Sequence, residues 1–176
     1  DNMLLRSAVE DLNVKTIIST KIEHHAILHA LDYLEKKNVS VIYLPVDQNG
    51  EFRYQDLEKA LSFDDSKKLV SLMHVNNEIG NMIDLEYISK ICQSRGGLLH
   101  TDAVQSIGHY KVDLNKIKVD FLSAAAHKFH GPKGVGFSFV RKNSGLNSFI
   151  FGGSQEMGLR AGTESVHNIV GMSKAL

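Results

Sequence analysis

Apolar and polar positions alternate along this chain in two distinct periods. Behind Asp1-Asn2, which reads as an N-cap, Leu4, Leu5, Ala8 and Val9 recur on one helical face. Thr16–Thr20 is a short buried strand that ends in polar residues. Ile27, Ala30, Leu31 and Leu34 form a single stripe and predict a helix from Glu23 to Lys37. The pattern then gives a strand at Val39–Leu44, a helix at Tyr54–Leu61 (Leu57, Ala60 and Leu61 inward) and a strand at Leu69–Val75. A helix at Asp84–Ser94 follows, packed through Leu85, Ile88, Ile91 and Cys92, and a strand at Gly97–Asp102. A connector with Val112, Leu114 and Ile117 leads to two more strands. One starts at Phe121 and delivers His127 and Lys128 to its end; the other runs from Val135 to Val140, after the turn Gly131-Pro132-Lys133-Gly134. The tail is a glycine-punctuated loop, Gly152–Gly162, and a helix with Val166, Ile169, Val170 and Met172. Strands alternating with helices predict an α/β fold: a three-layer αβα sandwich around a mostly parallel sheet.

Composition narrows the class. The 176 residues suffice for one domain with a sizeable core, and 43% hydrophobic with 23% charged residues is ordinary for a globular protein. Lys plus Arg equals Asp plus Glu at 20 each, so no net field draws in nucleic acid or an anionic membrane. No apolar run reaches the length of a membrane span, and no signal segment stands at the start. Cys92, the single cysteine, excludes an internal disulfide; together these features predict a cytoplasmic protein. The sequence shows no repeat, linker or domain boundary. Helical patterning already begins at residue 2 and still runs at Leu176, so the expectation is a fragment of something longer.

In open α/β sheets ligands sit at the carboxyl ends of the strands. The polar residues predicted there are His24, Asn76-Asn77-Glu78, Asp102 with Gln105, and His127-Lys128. Each alone has a plainer reading. A histidine after a strand is more often structural, Asn-Asn-Glu is a turn, Asp102 can cap a helix, and a turn lysine is usually solvated. A lysine at a cleft can also be a desolvated amine that forms a Schiff base with a carbonyl cofactor. Together these residues supply what pyridoxal phosphate needs: a lysine, an acid for the pyridine nitrogen, a stacking ring, and amides for the phenolic oxygen. The nine histidines show no metal-ligand spacing, so no metal site is expected. Cys92 lies on an apolar helical stripe and reads as a buried, inert thiol. The doublet His24-His25 is expected to point one ring in and one out.

Ile22-Glu-His24, His74-Val-Asn-Asn-Glu-Ile-Gly80, His100-Thr-Asp-Ala-Val-Gln105, His127-Lys-Phe-His-Gly-Pro-Lys-Gly134 and Arg160-Ala-Gly-Thr163, in this order, resemble the successive motifs of cysteine desulfurases. These are class V aminotransferase-like enzymes of the aspartate aminotransferase fold, and the resemblance covers essentially the whole chain. It implies most of the large, cofactor-binding domain of a pyridoxal phosphate enzyme. Lys128 would hold the cofactor and shuttle the substrate α-proton. Asp102 would pair with the pyridine nitrogen, and His24 would stack on the ring and assist proton transfer. Gln105, with Asn77 beside it, would bond the phenolic oxygen; His127 would reach the phosphate. Thr163 would reach the cofactor of the other subunit of a homodimer. The implied reaction takes L-cysteine to L-alanine and passes sulfur, as an enzyme persulfide, to an acceptor protein for iron–sulfur cluster or thiocofactor assembly.

The chain also departs from the family's pattern. Ala125 stands where the family commonly has a phosphate-binding serine, and Ser123 is expected to share its strand face but to lie too far away to replace it. A phosphate loop before Asp1, the small C-terminal domain, its substrate-binding arginine and the nucleophilic cysteine are not in this sequence. A selenocysteine lyase or another class V enzyme would share most of these motifs. An isolated domain without catalytic activity is the third reading.

Overall fold

A computed structural model describes residues 1–176. Helix α1 (Asn2–Leu12) leads into β1 (Thr16–Thr20), α2 (His25–Glu35), β2 (Ser40–Leu44), α3 (Tyr54–Leu61) and β3 (Lys68–Ser71). Then come α4 (Leu85–Ser94), β4 (Leu98–Asp102), β5 (Phe121–Ala125), a 3-10 turn (Ala126–Phe129), β6 (Gly136–Val140) and α5 (Val166–Ala175). The six strands form one sheet in the order β2-β1-β3-β4-β5-β6. β1 to β5 are parallel, and β6 returns antiparallel to β5.

Alternation along the strands explains the layers. Ile17, Leu69 and Phe121 face one way and pack against Leu4, Leu5 and Ala8 of α1 and Ile27, Leu31 and Leu34 of α2. Ile18, Val70, Leu99 and Leu122 face the other way, against Leu57, Ala60 and Leu61 of α3 and Leu85, Ile88 and Ile91 of α4. The fold is therefore the α/β sandwich that the two periods predict, with helices on both faces. α5 buries no residue and lies against the 3-10 turn, where Gly171 meets Pro132.

Several boundaries shift by one or two residues from the expected ones, and β3 by more; two of the shifts, at the end of β3 and the start of α2, bear on the site. β3 stops at Ser71 rather than Val75. Beyond Ser71 the chain still bonds β4, since the His74 N–H donates to the Asp102 carbonyl at 2.9 Å. On the β1 side, however, the Met73 N–H donates to the Glu23 side chain at 2.8 Å instead of to a strand carbonyl. α2 starts at His25 rather than Glu23, because His24 has extended backbone (φ −61, ψ 150) and its Nδ1 accepts from the Ala26 N–H. Capping turns the His24 ring outward with that of His25, so both are exposed rather than one in and one out.

Candidate functional site

The parallel strands deliver their carboxyl ends to one edge. The helix-packed face, apolar at Ile17, Leu69 and Phe121, becomes polar there. Ser71 lies across from His100 in the parallel register, and Asp102 across from Ser123. The Ser19 hydroxyl donates to the Ser71 carbonyl at 2.8 Å, and the Ser71 hydroxyl shares a hydrogen bond with His100 Nδ1 at 2.9 Å. Desolvation pushes the His100 imidazole down to about 3, so the ring is neutral and the Asp1 carboxylate, 3.5 Å away, forms no ion pair with it.

Asp102, the last residue of β4, is 4% exposed. Its Oδ1 accepts from the Val104 N–H at 2.9 Å, the one hydrogen bond its carboxylate receives. At this edge Ser123 Oγ and His74 Nδ1 are buried with no hydrogen-bond partner, and His100 Nε2 and Asp1 Oδ1, likewise without one, face each other at 3.5 Å. An unpaired buried polar group costs roughly 1–3 kcal/mol, and native proteins keep few of them. A carboxylate with spare acceptor capacity, flanked by unpaired polar atoms, fits a group that brings a basic nitrogen and hydrogen-bonding atoms of its own. The pyridine ring of pyridoxal phosphate is of that kind.

Loops leaving the same edge carry most of the other residues singled out in the sequence. Lys128 and His127 are exposed on the 3-10 turn after β5, which buried Phe129 pegs into the core. The Lys128 carbonyl accepts from His109 Nε2 at 2.9 Å, so the connector after β4 holds the turn. Gln105 is half-buried in the turn that Asp102 caps, and His24 is exposed at the start of α2. Asn77 is exposed, with its amide on Glu78 Oε1 at 2.6 Å. Thr163 is different: it is exposed in the loop before α5 and makes no side-chain hydrogen bond to these residues.

Sequence reasoning gave no role to Glu23, Asn76, His100 or Ser123, all buried at this edge. Ser123, considered in the sequence only as a substitute for Ala125, is the register partner of Asp102. The one available signal was a polar residue inside an otherwise apolar run, at Ser123 and His100. Cys92 is 1% exposed and burial pushes its thiol up to about 12, so it is an inert core residue, as its place on the helical stripe predicts. No cluster of three metal-binding side chains occurs.

The doubly wound, mostly parallel sheet, with a buried acid at the end of one strand and a lysine on the turn after the next, is an α/β domain with polar groups gathered at one edge. The chain belongs to the aminotransferase class-V family, whose model matches residues 2–176. This family is pyridoxal phosphate-dependent. The chain is 46% identical over 178 aligned positions to the cysteine desulfurase IscS of Dictyoglomus turgidum, covering 100% of this chain and 45% of that protein. Against the cysteine desulfurase IscS of Clostridium botulinum it is 46% identical, covering 91% of this chain and 40% of that one. A solved NifS-like protein superimposes with a TM-score of 0.93 at 43% identity, covering 99% of this chain and 48% of that structure. Another, described as SspA in complex with cysteine, superimposes at 0.89 with 35% identity, covering 99% of this chain and 50% of that one. The chain thus spans about half the length of the curated relatives it matches.

Proposed function

We propose that these residues form most of the cofactor-holding large domain of a cysteine desulfurase. In the reaction L-cysteine and a protein thiol give L-alanine and a protein persulfide, whose outer sulfur passes to an acceptor protein for iron–sulfur cluster or thiocofactor assembly. The observation that carries this reading is the buried Asp102 beside its register partner Ser123, whose Oγ is unpaired, in a chain of this family.

The roles are those that the resemblance to the family implies, and the chemistry of each side chain suits its role. Asp102, with spare acceptor capacity, would hold a proton on the pyridine nitrogen. Gln105 and Asn77 would bond the phenolic oxygen, His24 would stack on the ring, and His127 would reach the phosphate. The Lys128 amine would take the cofactor aldehyde and, when displaced by substrate, move the proton at the substrate α-carbon. When bound, pyridoxal phosphate supplies an electron sink for that carbon. Thr163, in a loop apart from these groups, would serve the phosphate of a partner subunit in a homodimer. The accepting thiol is not Cys92, which is buried and protonated at neutral pH.

The test is to titrate the chain with pyridoxal phosphate, follow the visible absorbance of the amine-bound cofactor, reduce with borohydride and map the modified peptide. The expected adduct is on Lys128, and Lys128→Ala is expected to lose both band and adduct. A Lys128→Ala variant with the same spectrum would sink the assignment.

A further inference from the structure

We propose that Glu23 is a positioning residue of the site: its carboxyl group, set between Thr20 and the Met73 backbone, fixes the turn that presents His24. The consequence for cofactor binding rests on the function proposed above; the geometry does not.

Glu23 is 7% exposed. Carboxylates are almost never this buried unless partnered. Its Oε1 accepts from the Thr20 hydroxyl at 2.8 Å and its Oε2 from the Met73 N–H at 2.8 Å. β1 and β3 pair only as far as Ile18 and Val70. Beyond that point the carboxyl group stands where a strand would be, joining the end of β1 to the chain that continues β3. A second tie lies one residue earlier, where Asn76 Nδ2 donates to the Ile22 carbonyl at 2.7 Å. Asn76 Oδ1 in turn accepts from the N–H groups of Glu78 and Ile79, so the same side chain shapes the turn that carries Asn77.

With residues 22 and 23 both fixed, little freedom is left to residue 24. His24 Nδ1 is then spent on the Ala26 N–H, which sets the orientation of the ring. Ile22, Phe52, Leu72, Met73 and Ile83, with Thr20, Asn76 and Asn81 among them, line the small cavity beside Glu23; burial pushes its carboxyl up to about 8 despite its two hydrogen bonds, with the Asp102 charge adding to the rise. The acid is therefore mostly neutral at pH 7. Because the Thr20 hydroxyl can accept as well as donate, glutamine reproduces both contacts.

The experiment compares wild type, Glu23→Gln and Glu23→Ala by amide hydrogen exchange in the cofactor-free chain, then by pyridoxal phosphate titration with visible circular dichroism. Glu23→Gln is expected to keep protection and affinity within about threefold. Glu23→Ala is expected to speed exchange of the Met73 and Ala26 amides and weaken cofactor binding by about tenfold or more, the loss of one or two buried hydrogen bonds. Its induced dichroism is expected to change as the stacking ring shifts. Unchanged dichroism and affinity in Glu23→Ala, with faster Met73 exchange, would make Glu23 a structural acid only. A Glu23→Gln chain as impaired as Glu23→Ala would show that charge acts, not position. If Glu23→Ala does not fold, Thr20→Val removes one of the two ties, and it is expected to show the same changes at smaller size; wild-type behaviour there overturns the proposal. Wild type that takes up no cofactor counts against the function reading, while exchange at Ala26 and Met73 still decides the positioning claim.

Discussion

Ala125 ends β5 half-buried, paired with Gly136 in the antiparallel register. A hydroxyl there adds one charge-assisted hydrogen bond to a phosphate, worth about 1.5–3 kcal/mol. Ala125→Ser is therefore expected to tighten pyridoxal phosphate binding by on the order of tenfold or more, read by absorbance titration. Unchanged affinity would place the phosphate elsewhere. Single residues such as Asp102 and Lys128 were legible in sequence because they end apolar runs, where the sheet edge must lie. Glu23 was not legible in the same way. Whether a buried acid is partnered depends on Met73, 50 residues away, and on β3 stopping early enough to leave its N–H free. The place of Ser123 beside Asp102 was not legible for a related reason: alternation fixes a face, but only the register with β4 sets its neighbour.

Among elements, the turn bearing Lys128 depends on the connector between β4 and β5. Gly108 has φ +84, and a Cβ there would overlap Phe129 Cβ and come within 3.0 Å of its Cγ. Gly134 has a similar φ of +81 with no atom within 4 Å of such a Cβ. Both alanine variants incur left-handed strain of roughly 1–2 kcal/mol. Gly108→Ala alone adds an overpacking cost of about 1–3 kcal/mol, because Phe129 is buried and cannot yield. The difference between the two variants in urea denaturation isolates the clash, and equal losses would refute the packing claim. Element type was readable from hydrophobic period, since the stripes of α1 to α4 and the strands each have a partner in one of the two cores; α5, which buries no residue, was read from its period alone. The ends of β3 and α2 were not, because side chains rather than propensity terminate them: Glu23 at Met73, and His24 at Ala26.

For the whole molecule, buried ionisable groups set how stability responds to pH, and the two large shifts, at Glu23 and His100, oppose each other. Glu23 is raised from 4.5 to about 8, so between those values the folded state holds a proton that the unfolded chain has released. Stability therefore falls as pH rises across that window, by at most about 1.4 kcal/mol per unit. His100 is lowered from 6.5 to about 3, so between those values the unfolded chain binds a proton that the folded state refuses. Its contribution is complete above 6.5 and is lost as pH falls towards 3. From about pH 4.5 to 6.5 the Glu23 and His100 slopes oppose each other, with His74, also lowered by burial, adding to the His100 side. From 6.5 to 8 the Asp1 amine, lowered by burial, opposes the Glu23 decline, and below 4.5 His100 sets the decline. Asp64, held down to about 2 by its hydrogen bond from Lys68, steepens the acid side below 3.8. Urea midpoints are measured from pH 3 to 9 for wild type and two variants. Relative to wild type, Glu23→Gln is expected to lose the contribution that falls between pH 4.5 and 8, and His100→Gln the contribution that falls from pH 6.5 towards 3, with the Asp64 share of the acid limb left standing. An alkaline decline that survives unchanged in Glu23→Gln would mean that some group other than this carboxyl holds the proton at neutral pH.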